Sequence, residues 1–266
     1  MKLQTKLHQP IGIFDAGIGS YAIVERVRAT FPQQDIIYFA DRARFPYGSK
    51  TPAQLLQSVQ NATQYLQDEG CVAVVLASNA PSVVVLEPLR AAVSIPVIGV
   101  FPPIREALAQ SKTGQIAVLG VRSMVTSEAM QKYTHSQSSA DSRVLLINAS
   151  PLVDMVENFT FLNNPQRTQE IVTGFITDLR HANPDIDVIT MSSTHLPWLK
   201  AFFIAAAPDV AFLDPADTVL GELVPYVSAG GRQTFCVATE TEELSLSDFN
   251  AALRALGTPY QASLKN

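Results

Sequence analysis

Short runs of Val and Ile alternate along the chain with longer segments in which apolar residues recur every three or four positions. The short runs are continuously apolar, which is typical of strands covered on both faces, and the longer segments have the period of amphipathic helices. This alternation predicts an α/β fold in which parallel sheets are flanked by helices. The predicted strands are 11–14, 36–39, 72–77, 97–100, 116–120, 144–147, 188–191 and 211–213.

Two of the predicted helices carry clear boundary signals. The first follows Ser49, with Pro52 near its first turn and Gly70 at its end, which are favourable positions for these residue types. The second covers about 166–182, and Pro184 follows it as a stop signal. Each helix has one apolar face, which predicts packing against a sheet. The residues of the two faces are Leu55, Leu56, Val59, Ala62, Tyr65, Leu66, Ile171, Val172, Phe175, Ile176 and Leu179.

Two parts of the chain repeat the same order of strand and loop segments. Segments 11–20 and 116–124 each contain a strand followed by a loop, and segments 74–82 and 188–197 each contain a strand that ends in a serine turn. The repetition predicts two similar doubly wound α/β domains related by pseudo-twofold symmetry, with a cleft between them. Because open α/β sheets bind ligands at the carboxyl ends of their strands, we expect Asp15, Ser78, Ser193 and their neighbours to line that cleft.

The predicted domain boundaries lie at two proline-containing pairs, Pro102-Pro103 and Asp214-Pro215, because proline commonly marks the connection between regular elements. The first domain is expected to comprise residues 1–102 and 215–266. The second domain is expected to comprise residues 103–214.

Composition excludes several classes of protein. The 266 residues include 24 acidic and 19 basic residues, a formal charge of −5, with no basic run that could follow a phosphate backbone, so no nucleic-acid partner is expected.

The most apolar stretches, 71–77 and 201–207, are too short to span a membrane. The opening MKLQTKLHQP has no apolar segment typical of a secretory signal, so a cytoplasmic location is expected. Only Cys71 and Cys236 are present, which predicts neither a disulfide framework nor a metal site.

The first loop matches the outline of a dinucleotide site. Gly17, Gly19 and Ala22 follow a strand as G-x-G-x-x-A, and Asp41 stands at the end of the next strand, as in nucleotide-binding folds. However, Asp15 lies where an anionic pyrophosphate would approach, and its carboxylate would repel that group. The alternative, that the glycines only allow a tight turn, needs no ligand, and no cofactor is predicted.

The chain contains, in this order, the segments FDAGIGS, IIYFADRARFPYGSK, VLASNAPS, IPVIGVFPPI and MSSTHLPWLK. In their order and spacing, these five segments resemble the glutamate racemases of the aspartate/glutamate racemase superfamily. The most specific matches are the Pro46-Tyr47-Gly48 triplet and the Thr194-His195-x-Pro197 string, and the resemblance extends to about Glu222. It implies two similar α/β domains with the site between them, and often a homodimer.

The resemblance also implies a cofactor-independent racemisation in which one cysteine thiolate removes the α-proton of an amino acid and a second cysteine returns one. Here the two cysteine positions are Ser78 and Ser193. A thiol titrates near 8.5, whereas an alcohol is a far weaker acid and a poor base for an α-proton. Cys71 and Cys236 are not expected at a strand end that faces the cleft.

Hydroxyl groups that hold substrate in the family are also missing. The corresponding residues here are Ala16, Ala80, Val121 and Met124. A pocket without hydrogen-bonding groups cannot offset the desolvation of a zwitterion. Residues that stand where family-like side chains stand are Asp15, Tyr47, Asn79, Glu157, Thr194 and His195, with Asp15 and His195 expected beside the two serines.

Three hypotheses follow. The leading one is a glutamate-racemase-like protein that is not a competent two-cysteine racemase and that binds a small carboxylate, an amino acid or a protein partner. The second is an active glutamate or aspartate racemase that uses Asp15 and His195, with serines or waters as relays. The third is a hydrolase or lyase that uses Ser193 and His195, provided that a third group orients the imidazole. Each of three side chains also has a purely structural interpretation. Asp15 can accept hydrogen bonds from the backbone of its own turn, Asn79 can cap the following helix, and His195 can be a buried histidine whose hydrogen bonds are satisfied locally.

Overall fold

A computed structural model describes residues 7–265. Residues 1–6, on which part of the secretory-signal prediction rests, lie outside the described residues. The chain forms two compact units, which we call unit 1, with residues up to Val100 and from Ala216 onward, and unit 2, with Phe101–Pro215.

Unit 1 begins with strands and helices in strict alternation. Two 3-10 turns, Arg42–Arg44 and Tyr47–Ser49, lie between the second strand and the second helix. The regular elements are β1 (Ile11–Asp15), α1 (Tyr21–Thr30), β2 (Ile36–Ala40), α2 (Pro52–Asp68), β3 (Ala73–Leu76), α3 (Asn79–Ala92) and β4 (Val97–Gly99).

Unit 2 repeats this alternation with more helices between its strands. A 3-10 turn, Leu196–Leu199, follows its third strand. The regular elements are α4 (Ile104–Gln110), β5 (Gln115–Gly120), α5 (Arg122–Val125), α6 (Glu128–Gln137), β6 (Arg143–Asn148), α7 (Ser150–Glu157), α8 (Thr160–Asn163), α9 (Pro165–Ala182), β7 (Val188–Met191), α10 (Lys200–Ala206) and β8 (Ala211–Leu213).

The chain then completes unit 1. The last elements are α11 (Ala216–Leu223), a 3-10 turn (Val224–Tyr226), β9 (Thr234–Ala238), α12 (Leu246–Ala255) and β10 (Ala262–Leu264). The sheet of unit 1 has the order β10-β9-β2-β1-β3-β4, and the sheet of unit 2 has the order β6-β5-β7-β8. All neighbouring strands are parallel. The predicted α/β class with parallel sheets is confirmed.

The two sheets share one local arrangement. In unit 1, β1 lies between β2 and β3, with β4 beyond β3. In unit 2, β5 lies between β6 and β7, with β8 beyond β7. The inner strands β1, β2, β3, β5 and β7 are buried along their whole length, whereas the edge strands β6 and β8 are partly exposed. Burial on both faces explains why the inner strands are continuously apolar.

The helix boundaries follow from local chemistry. At α2, Thr51 and Gln54 form a reciprocal capping box and Pro52 occupies the first turn, which satisfies backbone donors left open at a helix start. At α9, the Asn164 side chain accepts from the Arg167 backbone N–H. Both helices bury one apolar face, at a gain of about 1.5–3 kcal/mol for each fully buried large side chain. Among the described residues, no helix is long and apolar enough to cross a membrane.

Candidate functional site

In each sheet the carboxyl ends of the parallel strands meet at one edge, where ligands of open α/β sheets bind. In unit 1, Asp15 is the last residue of β1, and Ser78 follows β3. The Ala77 backbone N–H donates to the Phe14 carbonyl over 2.9 Å, so the chain segments that carry Asp15 and Ser78 lie side by side. We call the end of this sheet, with Asp15, Tyr47, Ser78 and Asn79, the unit 1 edge.

Asp15 is almost completely buried, at 3% exposure. Desolvation by burial is the main cause that raises the pKa of Tyr47 and of Tyr38. The negative charge of Asp15 raises both pKa values further. The next residue, Ala16, is also buried, and its carbonyl accepts a 2.8 Å hydrogen bond from the Arg42 guanidinium. The contact with Arg42 has no signal in the sequence, because the two residues are 26 positions apart.

Ser78 precedes α3, and its hydroxyl makes no capping hydrogen bond with that helix. Asn79 does not cap the helix either, which corrects that structural alternative: its Nδ2 donates to the Val100 carbonyl over 3.0 Å. The buried Asn79 Oδ1 has no hydrogen-bond partner among residues 7–265. Ala80 follows within α3 and is half-buried. The unit 1 edge therefore contains a buried carbonyl oxygen that can accept a hydrogen bond from a ligand.

The Pro46-Tyr47-Gly48 triplet positions a buried phenol. The Phe45–Pro46 peptide bond is cis, Pro46 and Gly48 are exposed, and Tyr47 is buried. The Tyr47 hydroxyl donates to Asp41 Oδ2 over 3.0 Å. Burial, together with the Asp41 and Asp15 carboxylates, raises the pKa of Tyr47 well above its usual value.

Asp41, the acidic residue of the dinucleotide outline, is fully buried and already engaged. Its carboxylate accepts from Tyr47, from the Arg44 guanidinium over 3.0 Å and from the Thr239 hydroxyl over 3.3 Å. A ribose-binding carboxylate must be open to the ligand. These contacts disfavour the dinucleotide interpretation.

In unit 2, the turn after β7 carries three buried side chains, Ser193, Thr194 and His195, at 6%, 3% and 7% exposure. Ser193 Oγ lies 3.3 Å from His195 Nδ1. His195 Nε2 lies 2.6 Å from Oε1 of Glu157, the last residue of α7. We call Ser193, His195 and Glu157 the unit 2 triad.

For a neutral imidazole, one proton arrangement satisfies both contacts of the triad. A carboxylate accepts hydrogen bonds and cannot donate them, so with Glu157 ionised the proton of the neutral imidazole lies on Nε2. Nδ1 is then the acceptor, and the Ser193 hydroxyl donates to it. A serine polarised by an imidazole that a carboxylate orients is the arrangement of a nucleophilic site.

The end of β5, in the same sheet, is apolar. Val121 is half-buried and Met124 is fully buried. The terminal methyl group of Met124 packs so closely on Gly120 that a Cβ at Gly120 would collide with it, and the same Cβ would lie 3.3 Å from the Ser192 carbonyl oxygen. Gly120 and Met124 therefore lie beside the turn that carries Ser193.

The two cysteines are structural. Cys71 and Cys236 are buried free thiols, both in unit 1. Burial raises the pKa of the Cys236 thiol to about 12 and that of Cys71 further still. Among residues 7–265 there is also no group of three or more His, Cys, Asp or Glu side chains that could hold a metal ion.

Comparison with known proteins gives consistent matches. The family described as Asp/Glu/Hydantoin racemase matches residues 21–223. A glutamate racemase of Herpetosiphon aurantiacus is 31% identical over 212 residues, which is 79% of this chain and 82% of the relative.

Solved structures match over nearly the whole chain. A glutamate racemase isoform from Bacillus anthracis has a TM-score of 0.81 at 27% identity, and the match covers 97% of both chains. A glutamate racemase from Thermus thermophilus, in complex with beta-chloro-D-alanine, has a TM-score of 0.78 at 27% identity and matches 97% of this chain and 96% of that one.

Proposed function

The chain belongs to the Asp/Glu/hydantoin racemase family, and from this premise we propose that it is a glutamate-racemase-like protein that does not racemise amino acids through a pair of thiols. The observation that carries the proposal is the presence of serine at both positions of the expected cysteines, Ser78 and Ser193. A thiol can be held as a thiolate near neutral pH, and a general base works best when its pKa is near the working pH. A serine hydroxyl does not satisfy this condition for a weakly acidic α-proton.

The native cysteines do not replace the missing thiols. Cys71 and Cys236 are buried, and burial disfavours the thiolate that would act as the base. Both belong to unit 1, so unit 2 contains no thiol at all. A reaction that needs one thiol on each face of the substrate therefore has no candidate for the second thiol.

We propose that an amino acid or a related small carboxylate is the ligand. The Asn79 Oδ1, which has no hydrogen-bond partner in the described part of the chain, supports this, because a buried carbonyl oxygen is suited to accept a hydrogen bond from an ammonium group. The Thermus thermophilus relative was solved with beta-chloro-D-alanine, which is an amino acid. The apolar Val121 and Met124 imply weak binding, because no hydroxyl offsets ligand desolvation at these positions.

The test is proton NMR in deuterated water with L- and D-glutamate and L- and D-aspartate, following the α-proton signal over a day. We expect no loss of signal with the wild-type protein. In parallel, a ligand-dependent rise in melting temperature reports binding without chemistry. A Ser78→Cys, Ser193→Cys double variant, in which both thiols are restored, gains exchange activity if the amino acid is bound in the productive position.

Two results would overturn the proposal. Exchange in the wild type that disappears in a Ser78→Ala, Ser193→Ala variant would show that the serine site performs carbon-acid chemistry, as the hypothesis of an active racemase using Asp15 and His195 requires. The absence of any ligand-dependent change in melting temperature, together with an inactive double-cysteine variant, would show that the amino-acid site itself is lost.

A further inference from the structure

We propose that the unit 2 triad is a nucleophilic acyl-transfer site, in which Ser193 attacks small, uncharged carboxylic esters. This inference goes beyond the function proposed above, because ester cleavage involves neither an α-proton nor a second base. It concerns unit 2 alone.

Geometry supports Ser193 as the nucleophile. The 2.6 Å contact between His195 Nε2 and Glu157 is short enough to fix the orientation of the ring, and it leaves Nδ1 facing the Ser193 hydroxyl at 3.3 Å. Nucleophile–base distances of this length are common without substrate and shorten when the substrate binds. The Glu157 and His195 side chains are only 14% and 9% exposed, so water competes little for these hydrogen bonds.

The reaction needs only water as a co-reactant. As Ser193 Oγ bonds to the ester carbonyl carbon, its proton moves to His195 Nδ1 and the carbonyl π electrons move to the oxygen. When the carbonyl re-forms, the bond to the alkoxy group breaks, and that group leaves as the alcohol with the proton from Nδ1. Water then attacks the acyl-serine and gives its proton to Nδ1, and the acid is released as Ser193 regains its proton.

Backbone groups next to Ser193 can stabilise the oxyanion. In serine hydrolases, the backbone N–H of the residue after the nucleophile commonly supplies one donor. Here that residue is Thr194, and within residues 7–265 neither its N–H nor that of His195 donates to another group. The Leu196 N–H, in contrast, donates to the Ser193 carbonyl and holds the turn.

The surroundings of the turn favour an uncharged acyl group. Met124 is fully buried and Val125 is 7% exposed, and both lie beside Gly120: a Cβ at this position would collide with the Met124 methyl group and lie 3.1 Å from Val125 Cγ1 and 3.3 Å from the Ser192 carbonyl oxygen. These apolar side chains offer no hydrogen bond to a charged carboxylate or ammonium group, so a charged substrate would lose its hydration without compensation. Ser193 is only 6% exposed, which favours a small acyl group such as acetyl over a large one.

The experiment is covalent labelling with a fluorophosphonate, followed by peptide mass mapping, together with p-nitrophenyl acetate turnover. We expect the label on Ser193 and not on Ser78, and a burst of p-nitrophenol as the acyl-serine forms. His195→Gln should slow labelling of the intact Ser193 by about 100-fold or more, which is the lower range for loss of a general base. Glu157→Gln should slow it by a smaller factor, since the base is still present.

Matched variants separate this effect from general damage to unit 2. His181 and Glu170 lie on α9, with the His181 residue and the Glu170 side chain exposed. His181→Gln and Glu170→Gln should label at the wild-type rate. Melting temperatures of all four variants show whether each still folds.

Three results would overturn the inference: no label on wild-type Ser193, a label that persists at full rate in a folded His195→Gln variant, or a label that follows Ser78 instead. Failure of this inference and failure of the proposed function give different observations. Labelling of Ser193 in a protein that also exchanges α-protons would reject the proposed function and leave this inference intact, whereas absence of both activities would reject this inference alone.

Discussion

The unit 1 edge and the unit 2 triad occupy corresponding places in two sheets of the same local strand order, yet their chemistry differs. In unit 1, Ser78 follows β3, which pairs with β1. In unit 2, Ser193 follows β7, which pairs with β5. Two residues after Ser78 the chain has Ala80, whereas two residues after Ser193 it has His195. Within residues 7–265, only the second serine has an imidazole within hydrogen-bond distance.

The carboxylates differ in the same way. In unit 2, Glu157 contacts the imidazole that faces the serine. In unit 1, Asp41 is bound by Tyr47, Arg44 and Thr239. The comparison teaches that the fold determines where a serine lies, whereas His195 and Glu157 give Ser193 an oriented imidazole.

The largest effect is expected at Asp41. Asp41→Asn removes the charge that accepts three hydrogen bonds in a fully buried position. We expect a loss of about 2–4 kcal/mol in the free energy of unfolding, because hydrogen bonds to buried charged groups are among the strongest. Urea denaturation measures it. Asp68→Asn, at an exposed position of α2, should stay within about 0.5 kcal/mol of wild type, and an equally small change at Asp41 would contradict a structural role.

A second effect concerns the apolar end of β5. Gly120→Ala places a Cβ against the Met124 methyl group and 3.1 Å from Val125 Cγ1, so buried side chains must shift. We expect destabilisation of about 1–3 kcal/mol. Gly174→Ala is the control, since a Cβ at this position of α9 meets no atom of residues 7–265 within 4 Å apart from its chain neighbours and its own helix backbone. It should stabilise by about 0.5–1 kcal/mol. Equal effects of the two substitutions would show that the β5 end is loosely packed.

The inner strands and the two signalled helices could be predicted from the sequence because each has a strong local pattern. The prediction for 188–191 coincides with β7, and that for 166–182 differs from α9 by one residue. β10 was not predicted, since it has three residues, Ala262–Leu264, of which only Ala262 is buried. A strand this short at the end of a sheet has no hydrophobic run to mark it.

The contacts of the candidate site could not be predicted from the residues themselves. Glu157 and His195 are both named by the resemblance, but they are 38 positions apart, and no local pattern shows that they touch. Thr239 is 198 positions from Asp41. Contacts across such separations depend on how helices and strands pack, which periodicity and motif spacing do not describe.

Replacing each serine with cysteine tests directly whether an imidazole acts on the side chain at that position. Ser193→Cys places a thiol beside His195, and a thiolate–imidazolium pair lowers a thiol pKa. Among residues 7–265, no imidazole is hydrogen-bonded to Ser78, so as the pH is lowered the alkylation of Ser78→Cys by iodoacetamide should begin to slow at a higher pH than that of Ser193→Cys. When each rate at pH 6 is divided by the same variant's rate at high pH, we expect the ratio for Ser193→Cys to be about tenfold larger than the ratio for Ser78→Cys. The wild-type protein, in which Cys71 and Cys236 are buried, is the control for background alkylation. Identical pH profiles for Ser78→Cys and Ser193→Cys would mean that His195 does not act on residue 193.

The smallest effect concerns a feature that the two units share. Asp35 accepts from the backbone N–H groups of His8 and Gln233, and Asp187 accepts from Lys112 N–H and the Ser111 hydroxyl. Burial acts to raise the pKa of both carboxyl groups, but these hydrogen bonds outweigh it and lower both pKa values.

A carboxyl group whose pKa is lowered by folding stabilises the native state above its unfolded value, near 3.9, and that contribution is lost as the pH falls through the native value. Asp35→Asn and Asp187→Asn should therefore each lower the melting temperature at pH 6, on the order of a few degrees, and the difference from wild type should shrink towards pH 3. Thermal denaturation at several pH values measures this. If only one variant shows a narrowing difference, the two units are stabilised differently at the amino ends of β2 and β7, although their strand order is the same.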